Sequence, residues 1–147
     1  MSQVSLVATA EHSFIENEHR ELAVGLDHIH HLATSIHTMP SRELTYELLQ
    51  ILMWVEKVLE PHAAWEETVL YEKIDRRAGT VWATKLMRYE HQQIRQLVRR
   101  LERDRQTVVH ETTHELVELR GRLFAFEGLI RAHLEREELF LIPLLDQ

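Results

Sequence analysis

The sequence predicts an all-α protein, an antiparallel up-down-up-down four-helix bundle, and three observations carry that expectation. Apolar residues recur at spacings of 3 and 4 in four long segments. No stretch alternates with the period of two that marks a half-buried strand. Glycine (4) and proline (3) are scarce in 147 residues, so the chain has few places to turn. A chain of this length is expected to form one domain, residues 1–147.

The first segment runs from about Glu11 to His37. Its seam is His12, Ile15, His19, Leu22, Leu26, Ile29, Ala33 and Ile36. The stretch TMPS at 38–41 ends it and places Ser41 as the N-cap of the next helix. That second segment runs from about Arg42 to Arg77, with Leu48, Leu52, Val55, Leu59, His62, Glu66 and Val69 in its seam and Gly79 as its C-cap. Pro61 removes a backbone donor inside it, which predicts a kink one residue before His62. The third segment, from Thr80 to about Arg105, carries Met87, His91, Ile94, Val98 and Leu101. The fourth, from about Thr112 to Leu141 before Pro143, carries Leu116, Leu119, Leu123, Phe126, Ile130, His133, Glu137, Phe140 and Leu144. Four such seams joined by short connections bury their apolar stripes against one another.

Composition removes several function classes. A net charge of −7 argues against nucleic acid as a partner, because phosphate binding needs positive surface. The basic run at 95–105 is read as a solvated helix face. Without cysteine there is no disulfide, thiolate zinc site, iron–sulfur cluster or cysteine nucleophile. The first residues carry no basic and apolar leader pattern, and no apolar stretch approaches the ~18 residues that span a bilayer. A cytoplasmic protein without a membrane partner is expected.

Histidine is the outlier, with eleven residues. His19, His62, Glu66, His91, His133 and Glu137 occupy seam positions where leucine or isoleucine would be expected. A buried unpaired carboxylate costs several kcal/mol (~3–5), and two in one layer also repel. A cation removes both costs. Four imidazoles and two carboxylates suit iron, manganese or zinc, and two ions fit the set better than one. The i, i+4 spacing puts His62 beside Glu66, and His133 beside Glu137, on one helix face. His12/Glu16 and His114/Glu118 share that spacing but do not both fall in a seam, so they read as surface pairs.

The order of these motifs resembles the hemerythrin-like (HHE cation-binding) family. NEHREL on helix one, His-x-x-x-Glu-Glu on helices two and four, and YEHQQI on helix three carry the likeness over nearly the whole chain, from about His12 to Leu145. The resemblance implies a four-helix bundle with a non-haem di-iron site, two Fe ions bridged by oxo or hydroxo groups. His19, His62, His91 and His133 then match terminal ligands, and Glu66 and Glu137 match bridging carboxylates. Glu67 and Glu138 are the less favoured members of each pair. The family's oxygen carriers bridge from five places after the helix-four histidine, which is Glu138 here.

Those carriers also have a second histidine on helix three, one turn from the first. Here the corresponding positions hold Met87 and Arg95, so simple oxygen storage is not implied. The four-His, two-Glu set is more similar to the family's iron–sulfur repair and nitric-oxide-response members. Those typically add a cysteine-bearing segment, and this sequence has no cysteine. The expected function is a di-iron protein that binds or reacts with O2, NO or peroxide, in sensing, detoxification or iron-centre repair. The alternatives are a di-iron oxidase or peroxidase-type enzyme, and a bundle whose metal is only structural. A ferritin-like bundle fits worse, since only Glu16-x-x-His19 has its Glu-x-x-His spacing.

The remaining conspicuous side chains have plainer readings. His28, His30 and His31 are expected on a polar helix surface, and His110 and His114 at an exposed loop. Trp54, Trp65 and Trp82 are expected to pack. Tyr71 and Tyr89 are assigned to core or rim packing, with iron binding as the alternative.

Overall fold

The computed structural model describes the backbone of residues 3–108 and 113–146, and side chains from residue 11 onward within those spans. Four helical rods make up the fold, and no strand occurs among the described residues. Helix α1 is Gln3–Ser35, extended by a 3-10 turn at Ile36–Thr38. Helix α2 occupies residues 41–78. Helix α3 is Trp82–Thr107. Helix α4 is Thr113–Arg136, prolonged by a π turn at Glu137–Leu141 and a 3-10 turn at Ile142–Asp146. The expected start near Thr112, and His110, lie outside the described residues.

Several boundaries differ from expectation for local reasons. Helix α1 begins at Gln3, well before Glu11. Ser41 is not a cap. Pro40 is the N-cap, because Leu44 N–H already bonds to its carbonyl at 3.0 Å, and Ser41 is helical. Gly79 closes α2 as predicted. It takes φ +70°, a conformation that suits glycine, and Thr80 N–H bonds back to the Asp75 carbonyl at 3.1 Å. Thr80 stays outside α3, where its hydroxyl accepts the Trp82 N–H at 3.1 Å.

Helix α2 contains two π turns, Val55–Leu59 and Glu66–Leu70, between the α-helical pieces Ser41–Trp54, Glu60–Trp65 and Tyr71–Ala78. Each π turn inserts one extra residue into the spiral. Where a kink was expected at Pro61, the spiral changes through the π turn that ends just before it. Glu60 N–H bonds to the Val55 carbonyl, and the proline ring sits in the first turn of the piece that follows.

The extra residue also shifts the seam. After Glu66 the core continues through Leu70 and Ile74, while Val69, expected inside, is 51% exposed. After Glu137 it continues through Leu141 and Leu145, while Phe140 is 66% exposed. Leu144 is half-buried for the same reason. Every other expected seam position is buried or half-buried.

Around the core, α1 packs on α2 and α4, and α3 packs on the same two helices. The buried apolar residues form two clusters. The larger includes Leu22, Leu59, Ile94 and Ile130; the smaller includes Ile15, Leu70, Met87 and Leu141. On each helix the predicted polar seam residues fall between the two. Full burial of each aliphatic side chain contributes about 1.5–3 kcal/mol, so both clusters hold the intervening polar layer in place. Polar ties add register. Arg122 makes two bonds to the Asp104 carboxylate at 2.6 and 2.7 Å, joining α4 to α3. Trp54 lies so close to Gly25 that a Cβ there would meet its ring at 2.2 Å, so the α1–α2 contact needs glycine.

Candidate metal centre

All six seam donors converge in the layer between the clusters. His19, His62, Glu66, His91, His133 and Glu137 are each no more than 6% exposed. Two groups of four could hold a cation. One is His19, His62, Glu66 and Glu137; the other is Glu66, His91, His133 and Glu137. Within each group the donor atoms lie within 4.8 Å of one another. Glu66 and Glu137 belong to both, so two four-donor sites share two carboxylates.

The inward atoms crowd one another. His62 Nε2 lies 3.3 Å from Glu66 Oε1, and His91 Nε2 lies 3.2 Å from the same oxygen. His19 Nε2 is 3.3 Å from Glu137 Oε2, and His133 Nε2 is 2.5 Å from Glu137 Oε1. The ring nitrogens of His91 and His133 approach to 3.0 Å. Yet His19 Nε2, His62 Nε2, both Glu66 oxygens and Glu137 Oε2 are buried without a hydrogen-bond partner. Buried polar atoms are rarely left so. Nitrogen and oxygen donors orphaned toward a common point fit a cation.

Electrostatics in the metal-free chain are strained accordingly. Burial, together with the Glu137 carboxylate, pushes Glu66 well above the usual carboxylate range. Burial also acts upward on Glu137, but the close approach of Glu66, His133 and His19 keeps it well below that range. Burial acts against charging His133, while the nearby Glu137 and Glu66 carboxylates prevail and raise it to about 9. Burial and the nearby His133 lower His91 to about 4. Burial lowers His62 as well, against the pull of Glu137 and Glu18.

A second tier of carboxylates stands behind the histidines. His19 Nδ1 hydrogen-bonds to Glu138 Oε1 at 2.9 Å. Glu18 lies 3.4 Å from His62 Nδ1, Glu67 3.2 Å from His91 Nδ1, and Glu90 3.7 Å from His133 Nδ1. Each helix thus directs one carboxylate at the histidine of the next helix around the core: α1 to α2, α2 to α3, α3 to α4 and α4 to α1. Of the four, the Glu138 contact is a formed hydrogen bond, which fixes the His19 ring and raises its basicity as a ligand; the Nδ1 atoms of His62, His91 and His133 face their carboxylates without one. Arg95 holds Glu67 at 2.9 Å and also bonds Glu60, and its hydrogen bond keeps Glu67 below its usual value. Arg136 holds Glu90.

Glu18 and Glu90 were not singled out by sequence. Their signal was adjacency, since each precedes a seam histidine, just as Glu67 and Glu138 follow a seam glutamate. Tyr71 packs in the smaller cluster, as expected, and its hydroxyl also reaches the layer. It is fully buried, and its hydroxyl donates to Glu137 Oε1. Burial, then the Glu137 and Glu66 carboxylates, raise its ionisation far above the ordinary phenol value.

The other expectations divide. Tyr89 is exposed, and His114 and Glu118 form an exposed pair at 3.3 Å. His12 pairs with Asp146 at 3.2 Å rather than with Glu16. His28, His30 and His31 are exposed; His28 meets Glu47 at 2.7 Å and His30 meets Glu127 at 2.8 Å. Trp54 and Trp65 pack against the two clusters. Trp82 does not; it is 70% exposed under the Lys85 ammonium, at the first residue of α3.

Fold and site together define a four-helix protein of the cation-binding kind, with its His/Glu cluster buried in the core. The family model described as "Hemerythrin HHE cation binding domain" matches residues 11–145. The chain therefore belongs to the hemerythrin HHE cation-binding family. None of the curated proteins and none of the solved structures matches it.

Proposed function

We propose that this chain is a non-haem di-iron protein that binds or reacts with O2, NO or peroxide. The observation that carries the reading is the pair of four-donor groups sharing Glu66 and Glu137. In this reading His19 and His62 hold one ion, His91 and His133 hold the other, and the two glutamates serve both. Bound iron would supply open positions for a small oxidant and the electrons to reduce it. The chain's own part is to exclude bulk water, orient His19 through the Glu138 carboxylate, and place the Tyr71 hydroxyl against Glu137.

A cavity of about 20 Å³ adjoins the layer, lined by His62, Glu66, His91 and His133, by aliphatic side chains such as Leu22 and Ile130, and by Glu60 and Arg95 toward the surface. That volume holds about one water-sized molecule, which favours a diatomic gas or peroxide over an organic substrate. We also propose the up-down-up-down course of the helices. It is supported by the order in which each meets the apolar clusters. Helices α1 and α3 pass the smaller cluster first, and α2 and α4 pass the larger first.

The reading is tested by loading the protein with ferrous iron under anaerobic conditions and then adding O2, NO or peroxide in turn. Spectral change at a stoichiometry set by bound iron is expected with at least one of them. A colourless protein that takes zinc as readily as iron and responds to none would replace this reading with a structural metal.

A further inference from the structure

Tyr71 has more partners than a packing residue needs. Its hydroxyl donates to Glu137 Oε1 and also lies 3.3 Å from His91 Nε2 and 3.4 Å from His133 Nε2. Those three residues, with Glu66, form one of the two four-donor groups. The phenol oxygen therefore sits among donors that face a single ion position, while Tyr89, exposed on α3, does not.

The backbone explains its placement. In an uninterrupted α-helix, residue 71 would be turned about 140° from residue 66 around the axis. The π turn Glu66–Leu70, closed by the bond from Tyr71 N–H to the Glu66 carbonyl, brings it back over the same face. Helix α4 repeats the device at Glu137–Leu141, but its equivalent residue is Ile142, which has no donor. The ring of Tyr71 stacks on His91 with centroids 5.5 Å apart, and the Arg88 guanidinium lies 5.4 Å from its centroid. A cation over the ring face favours extra negative charge on the ring.

We propose that Tyr71 is a fifth protein ligand, through its phenol oxygen, for the ion at the His91–His133 position. The two ion positions are then chemically unlike, one with a phenolate and one without. This rests on the metal reading above. On binding, the O–H bond breaks, an oxygen–metal bond forms, the proton passes to water and no electron moves. The bound cation supplies the positive charge that a buried phenolate otherwise lacks.

The test uses full-length protein loaded with ferrous iron and oxidised by O2, with iron per chain counted and visible absorption and resonance Raman spectra recorded. Wild type should show a phenolate-to-iron visible band carrying tyrosinate ring vibrations. Tyr71→Phe should keep its iron and lose both. The chain has three tyrosines, so a Tyr46→Phe/Tyr89→Phe double variant that retains the vibrations assigns them to Tyr71 even if Tyr71→Phe does not fold. Two irons per chain without tyrosinate vibrations, or vibrations that survive in Tyr71→Phe, overturn the inference and leave the metal reading standing. Iron below one per chain overturns both.

Discussion

Replacing Glu138 by alanine should weaken metal binding by about tenfold while leaving the metal-free protein as stable as before. Glu138 makes the one well-formed hydrogen bond of the carboxylate ring, 2.9 Å from His19 Nδ1, yet its side chain is 54% exposed. Loss of a carboxylate behind a ligating histidine typically costs 10–100-fold in affinity. Water can reach the vacated Nδ1 at so exposed a position, which puts this case at the low end, about 1.4 kcal/mol. Exposed substitutions away from special features shift stability by about 0.5 kcal/mol or less, so melting of the chelated protein should hardly change. Glu138→Gln keeps an acceptor oxygen and should fall between. The assay is competition against a chromophoric chelator, with melting curves recorded on metal-free samples. Wild-type affinity in Glu138→Ala would refute the role assigned to the carboxylate ring. An equal loss of stability without metal would refute it too, since Glu138 would then be a structural residue.

Three further outcomes are expected. Glu66→Ala or Glu137→Ala should abolish binding of the metal pair, since each removes a donor from both groups; metal analysis of the purified variants checks this. Apparent affinity should rise with pH through neutrality toward about 9, because His133, held at about 9, must shed a proton to bind, and the upward shift of Glu66 acts in the same direction. Calorimetry in buffers of different ionisation enthalpy should show proton release, and a pH-independent affinity would contradict it. Gly25→Ala should destabilise the fold by roughly 1–3 kcal/mol through overpacking against Trp54, read from denaturant unfolding.

What the sequence made legible, and what it hid, divide along one physical line. His19, His62, Glu66, His91, His133 and Glu137 could be found because up to Glu66 and Glu137 the seams hold the 3-and-4 spacing. Beyond those two glutamates the same extrapolation placed Val69 and Phe140 inside, and both are outside. A π turn adds a residue without a sequence signature of its own, since Glu66-Glu67 and Glu137-Glu138 are equally at home in an α-helix. Its trace is that Leu70 and Ile74, or Leu141 and Leu145, make consecutive steps of four. Tyr71 could be named from its nearness to Glu66, but not told apart from Tyr89, since only the wide turn carries it to the site face. The ring of Glu18, Glu67, Glu90 and Glu138 was hidden differently. Each lies one residue off the seam, where charge is expected on a solvated face, and its role depends on the neighbouring helix, which a single segment's periodicity does not describe.

The central claim is that this core holds a pair of iron ions. Iron content per chain, with an optical spectrum taken before and after reduction, tests it most directly. The account predicts close to two irons per chain and a near-ultraviolet absorption of the oxidised protein that disappears on reduction. Less than one metal ion per chain after anaerobic reconstitution would contradict it.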